Sequence, residues 1–485
     1  MSLDGIRVIK KKIVVARGHK DHNFWAVDAI NPNTFRAKTL KSVRKPFVWR
    51  EFWQELRTHF FNRKIALSLV AAVLIIAITS ISVSSYNFFR KNYDFIKLFK
   101  SGKYLILLQN NTEMRATGGF IGSFATVEFE GGVFKNYQFD SNIYKRDNTF
   151  SETHSIEPPD EALTNFIGGN KWAMRDSNWA VDYPTAAKQV AWFYEQEGGK
   201  PVDGVVALNA TVLQDILSIT GPIEMPEYNV TVTHDNFIET SQYKIEREYF
   251  ANPLNKIANE PKSFLADLTP KIISKLSQNG KYKLVTDLIY QELRDKQILF
   301  YFYDDNKEKI ALENGWGGEV KDHSGDYLYV NNSNLAGNKS SLNVKEDIKL
   351  NTSISNDGSA INTLTLTRTH SGDGVWPDGE NVNYVRILVP YGSELISAKL
   401  DGVGCGNDVK IKKEAGKSVF ALWVNTLPRS SRILTITYKL PDVISKNNYS
   451  LYVQKQPGNL GDDLQVVFDG TVKFNGILDT NKDIK

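Results

Sequence analysis

One uncharged run stands out in the hydropathy pattern, IALSLVAAVLIIAITSISVSS from Ile65 to Ser85. About 20 such residues cross the hydrocarbon core of a bilayer. Arg63 and Lys64 precede it, and Tyr86, Phe88, Phe89, Arg90 and Lys91 follow. Those are the residue types found at headgroup depth, so a transmembrane helix is expected over 65–85. Ser82-Val83-Ser84 looks like a signal cleavage site, but the 64 residues before the run are far more than a signal peptide carries.

Beyond the run the pattern is mixed. YLILLQN (104–110), GSFATVEF (122–129), VFKNYQFD (133–140), DGVVALN (203–209) and QILFYFYD (297–304) are rich in β-branched and aromatic residues and read as strands. Gly131-Gly132 joins the second and third as a hairpin. PTAAKQVAWFYEQEGG, ATVLQDILSITG and PKSFLADLTPKIISKLS have helical spacing, and Pro270 is expected to break or kink the last. From Ser341 the runs shorten and alternate between Gly, Asn, Asp and Pro, as in NVNYVRILVP, KSVFALWVNTLP and RILTITYKLP. That spacing predicts a β-sandwich of about seven strands, of immunoglobulin-like type. The expected order is a basic tail (1–64), a span (65–85), an α/β domain (86–340) and the sandwich (341–485).

Charge orients this arrangement. Met1 to Lys64 holds 15 Lys and Arg against 5 Asp and Glu, leaving 44 against 50 of the chain's 59 and 55 for the remainder. Basic residues beside a span stay cytoplasmic, so the N-terminus is expected inside and the 86–485 region outside a single-pass cell membrane protein. The basic tail, with Trp49, Trp53, Phe60 and Phe61 among its last charges, suits an anionic lipid surface. No nucleic-acid partner is expected, because the folded region is net acidic. Cys405 is the only cysteine, so no intrachain disulfide forms.

Most enzymatic signatures are absent. No phosphate loop, GxSxG elbow or HExxH occurs, and the seven histidines are scattered. Arginines and carboxylates beside turns remain. Arg115 precedes Gly118-Gly119, and Arg175-Asp176 lies in KWAMRDSNWAVDYP, which runs into a helix start. Glycine lets backbone approach an anion, helix N-termini offer unpaired N–H groups, and arginine forks onto phosphate. With Thr117 and Asn178 these form a candidate ligand-binding set, Arg115, Thr117, Gly118, Gly119, Arg175 and Asn178. Asp176 and Asp182 are the candidate catalytic pair and candidate ligands for a magnesium ion. The plain readings stand beside these: a glycine turn, a surface ion pair, and Asp182 as a helix cap.

YLILLQNNTEMRATGGFIGSFATVEFEGG, MRDSNWAVDYPTAAKQVAWFYEQEGGKPVDGVVALNATVLQDILSITGPI, DYLYVNNSNLAGNKSS and YSLYVQKQPG resemble the bacterial membrane proteins of the domain-of-unknown-function 4012 family. More distantly, the order of parts is similar to that of LytR-CpsA-Psr proteins, which attach glycopolymers to the cell wall. Arg115-Ala116-Thr117 stands where that family has Arg-Ser-Asp-Thr, and Met174-Arg175-Asp176 where it has Pro-Arg-Asp. The resemblance implies an α/β/α fold that binds a polyprenyl-pyrophosphate glycan, with arginines on the pyrophosphate and magnesium beside it. The first motif lacks its aspartate here, and YKIEREYF offers only Lys244 and Arg247 in place of an arginine-rich helix. Two functions follow as expectations. One is glycopolymer transfer to the cell wall; the other is a non-catalytic envelope protein whose sandwich docks a partner.

Overall fold

The computed structural model describes residues 93–140, 143–251, 263–278, 281–441 and 449–485. The expected tail and span at 1–85 lie outside the described residues, among which no helix is long and apolar enough to cross a membrane.

The first sheet is built from β1 (Gly102–Arg115), β2 (Gly118–Glu130), β3 (Val133–Asp140) and β4 (Gly204–Asn209). A short hairpin of β5 (Ile223–Met225) and β6 (Val230–Val232) follows, and β7 (Ile298–Phe302) completes the sheet in the order β3-β2-β1-β4-β7. β1 and β4 run parallel, and the other pairs are antiparallel. Gly131 and Gly132 both have positive φ (62° and 80°), the left-handed pair that a two-residue hairpin turn needs.

Side chains alternate across the strands, so the sheet has two apolar faces. Tyr104, Ile106, Val206 and Phe300 share one core with the helices Ala210–Thr220, Ser263–Gln278 and Tyr282–Arg294. Leu105, Leu107, Val205 and Leu299 share the other with the helices Ile143–Ser151, Glu161–Ile167 and Tyr183–Gln196. The result is a mixed α/β unit with helices on both faces. The helix Ala210–Thr220 buries Val212, Leu213, Ile216 and Leu217, one stripe at helical spacing. Pro270 does not end its helix, which continues to Gln278. The Thr269 hydroxyl donates to the Leu265 carbonyl at 2.8 Å, so the turn at the proline keeps a tie of its own.

The C-terminal part is a sandwich of two sheets. Its strands are β8 (Asp326–Leu335), β9 (Val344–Ile354), β10 (Ala360–His370), β11 (Val382–Val389), β12 (Glu394–Leu400), β13 (Val403–Gly404) and β14 (Lys410–Glu414). β15 (Lys417–Trp423), β16 (Ser430–Lys439), β17 (Leu451–Gln454), β18 (Asp462–Phe468), β19 (Thr471–Leu478) and β20 (Lys482–Ile484) complete it. A seven-stranded outer sheet has the order β13-β12-β16-β10-β9-β18-β19, and a six-stranded inner sheet the order β14-β15-β11-β8-β17-β20. The sandwich is thus larger than the expected seven strands. It also begins before the expected boundary at 340, because β8 is an interior strand of the inner sheet.

The reason lies in burial. One face of the inner sheet, with Leu328, Val385 and Phe420, packs on the outer sheet. The other, with Tyr327, Tyr329, Tyr384 and Ala421, packs into the core beneath the helix Tyr183–Gln196. β8 therefore serves both halves, and a cut at 340 separates it from its hydrogen-bonding partners β11 and β17.

Candidate functional site

Past Gln109, which pairs with Asn209 at the end of β4, β1 continues to Arg115 and reaches the sandwich. The register against β2 shifts between Asn110 and Met114, and the turn into β2 closes at this bulge. A Cβ on Gly119 would lie 2.2 Å from the Asn110 carbonyl carbon. Gly118 has φ +134° and packs against Asn209, Gln109 and Gly458. A Cβ is excluded at Gly119 by backbone and at Gly118 by its positive φ and by the buried amides of Asn209 and Gln109.

Arg115 is buried, 2% exposed. Its guanidinium meets Glu113 Oε1 at 2.8 Å and Asp176 Oδ1 at 3.8 Å, and donates to the carbonyls of Met114 and Asn334. Arg175 meets Asp176 Oδ2 and Asp147 Oδ2, each at 3.3 Å, and lies over the Tyr144 ring. Thr117 Oγ1 accepts from Gln109 Nε2 (3.0 Å) and Asn178 Nδ2 (3.1 Å), and Asn178 Nδ2 also donates to the Gly119 carbonyl (2.9 Å). The expected ligand set and Asp176 do come together. They come together as a self-neutralised network, with carboxylates of Glu113, Asp176 and Asp147 around the two guanidiniums and Lys339 on Glu113. Burial alone would raise the Glu113 carboxyl, but Arg115 and Lys339 hold it below its ordinary range. At Asp176 burial wins over Arg115 and Arg175, and its carboxyl is raised.

Asp182 lies elsewhere. It is the N-cap of the helix Tyr183–Gln196, accepting from Thr185 N at 3.1 Å and Thr185 Oγ1 at 2.6 Å, and its second oxygen accepts from Val320 N at 3.0 Å. The helix-cap reading describes it. Asp176 is engaged by Arg115 and Arg175, and Asp182 by Thr185 and Val320; among the described residues no three His, Cys, Asp or Glu side chains gather as metal ligands.

Beside the network is a cavity of about 270 Å³. Its apolar lining comes from Leu108 on β1, Phe120 on β2, Leu213 on the helix Ala210–Thr220, and Phe237, Ile238 and Ile245 on the helical stretch 237–251. Within that stretch Tyr243–Glu248 forms a π-helical turn, a widened geometry frequent at functional sites, which brings Ile245 and Glu246 to the cavity. Gln109, Asn209, Ser241 and Lys339 also line it. Gln109 Oε1, Asn209 Oδ1 and Ser241 Oγ are buried with no hydrogen-bonding partner among the described residues. Such atoms are costly unless something completes them. Lys339 connects cavity and network, meeting Glu113 and, at 4.0 Å, Glu246, over the Phe120 ring. Sequence reasoning passed over Lys339 and Ile245. Lys339 sits in the NNSNLAGNKSS motif, but its partner Glu113 is 226 residues away.

Residues 101–245 match the family model described as "Protein of unknown function (DUF4012)". No curated protein matches the chain. Among solved structures it is similar to a putative nutrient binding protein from Legionella pneumophila, with 10% identity and a TM-score of 0.21 over 29% of this chain and 54% of that one. It is similar also to leukotriene A4 hydrolase from Saccharomyces cerevisiae, with 13% identity and a TM-score of 0.19 over 30% and 28%. An M1 zinc metallopeptidase from Deinococcus radiodurans shows 16% identity and a TM-score of 0.16 over 26% and 32%. The chain spans about half the length of the first and under a third of the other two. At such TM-scores the likenesses are local and carry no functional argument.

Proposed function

We propose that the chain is a single-pass, extracytoplasmic cell-envelope protein whose LytR-CpsA-Psr-like α/β unit holds the lipid of a polyprenyl-linked glycan. The observation that carries this reading is the apolar cavity with Lys339 and Glu246 on its wall, next to RATGGFIGS. An isoprenoid chain gains about 0.8 kcal/mol for each buried CH₂ group.

Binding is favoured over transfer. Stabilising a leaving pyrophosphate needs uncompensated positive charge aimed at it. Arg115 and Arg175 are engaged by three carboxylates, and Asp182 caps a helix. The test is titration of the full chain in nanodiscs with a short polyprenyl phosphate, against an Ile245→Trp variant that fills the cavity. Binding by the wild type, weakened about tenfold or more in the variant at unchanged melting temperature, is expected. Equal binding by both, or none by the wild type, would remove the proposal. Turnover of a lipid-linked glycan, abolished by Arg115→Ala, would restore the transferase reading.

A further inference from the structure

A second, larger depression of about 920 Å³ lies between the helical stretch around Glu239–Arg247 and the 372–378 loop of the sandwich. Thr112, Ile238, Gln242 and Lys339 line both it and the apolar cavity, so the two are continuous at Lys339. Their linings differ in kind. In the cleft Trp376 is 46% exposed and Tyr243 47%, one from each wall. Large exposed aromatics in a concave site mark recognition surfaces. The Trp376 loop is internally braced: Asp378 accepts from Gly374 N at 2.8 Å and from Asn343 Nδ2 at 3.0 Å, and Asp373 accepts from Val375 N at 2.8 Å. The ring is therefore held by a fixed turn.

We infer that this cleft is a glycan-binding subsite, in which Trp376 and Tyr243 stack on an uncharged oligosaccharide and Glu239, Thr240 and Gln242 bond its hydroxyls. Sugar rings have an apolar C–H face and a hydroxyl rim, and the cleft offers a partner for each. Its charges nearly cancel: Lys244, Arg247 and Lys339 stand against Asp235, Glu239, Asp373 and Asp378. That balance suits a neutral chain better than a polyanion. The inference rests on the lipid-binding reading for what the glycan is attached to, since an amphiphile with its tail in the cavity would pass its head group at Lys339 and extend its hydrophilic part into the cleft.

The test uses the full chain in nanodiscs and short neutral oligosaccharides, chito- and gluco-oligosaccharides, followed by saturation-transfer NMR and calorimetry. At least one series is expected to bind, with affinity reduced about tenfold in Trp376→Ala, less in Trp376→Phe, and polyprenyl phosphate affinity unchanged in both. Absence of binding by every series, or equal binding by wild type and Trp376→Ala, would overturn the inference. Sugar binding without polyprenyl phosphate binding would sink the lipid proposal alone. Lipid binding without sugar binding would sink this one alone.

Discussion

The two sheets of the sandwich use similar strands in opposite ways. In the outer sheet β9, β10 and β16 alternate between buried and more exposed positions, as a sheet with one face toward solvent should. In the inner sheet every residue of β8 is buried, including Asn331, Asn332, Ser333 and Asn334. The sandwich reaches across the junction to the α/β half from here: Asn331 Nδ2 donates to the Ala116 carbonyl, the Asn334 carbonyl accepts from Arg115, and Gln456, just past β17, donates to the Arg115 carbonyl. The inner sheet is thus a shared wall. The turn that presents Arg115 and the rim of the cavity is held by the sandwich as much as by its own sheet, which predicts that damage to the two sheets will differ greatly in cost.

Arg386→Ala should do the most harm. Arg386, on β11, lies over the Trp179 ring and donates to the Trp179 carbonyl at 2.9 Å and Asn331 Oδ1 at 3.0 Å, with Glu414 at 3.3 Å. Its loss strands those groups and should cost about 3–5 kcal/mol in denaturant unfolding. A loss under about 1 kcal/mol would contradict the shared-wall picture. A pair of glycines sharpens the contrast. Gly458 has φ +77°, and a Cβ there would lie 2.5 Å from Gly118 Cα, a backbone atom that cannot turn aside. Gly458→Ala should cost about 2–3 kcal/mol. Gly470, in the outer-sheet turn between β18 and β19, has φ +81° and nothing within 4 Å, so Gly470→Ala should cost only the left-handed strain of about 1 kcal/mol.

This difference also marks what could be read beforehand. The runs YLILLQN and DGVVALN lie in observed strands because β-branched and aliphatic residues fit a doubly covered sheet. DYLYVNNSNL went unread as a strand because consecutive asparagines look like a turn until their partners are known, and those partners lie far away in sequence. The candidate site was legible to a similar degree. Arg115, Thr117, Arg175, Asp176 and Asn178 do meet, because the short helix Met174–Asp176 packs against the turn between β1 and β2. Their neutralisation by Glu113, Asp147 and Lys339, and the cavity made by the π-helical turn, depend on tertiary placement that local spacing does not encode.

A smaller effect is expected from pH. Asp326, the first residue of β8, accepts from Asn362 Nδ2 and the Tyr449 hydroxyl, each at 2.8 Å, and from Tyr327 N at 2.7 Å. Burial outweighs these bonds and pushes its carboxyl from 3.8 up to about 6. The folded chain therefore holds this proton more tightly than the unfolded one. The stabilisation is complete below the unfolded value and is lost as pH rises through about 6. Other buried carboxyls add slopes of their own, so the decisive quantity is the difference between wild type and Asp326→Asn. That difference should change between pH 4 and 6 and be level above about pH 7; a level difference throughout would place the Asp326 carboxyl at its ordinary value.

The smallest effect is expected on the solvent-facing side of the outer sheet. Thr363, Thr365 and Thr367 alternate with buried Leu364 and Leu366 on β10, and Thr365 stands opposite Lys349 and Thr435 on the neighbouring strands. Thr365→Ala removes a β-branched contact between cross-strand neighbours but opens no cavity in the sandwich core, so a loss of about 0.5 kcal/mol is expected. If it instead approached the cost of Arg386→Ala, the solvent-facing side of the outer sheet would be carrying a partner, and the asymmetry between the two sheets would belong to the isolated chain alone.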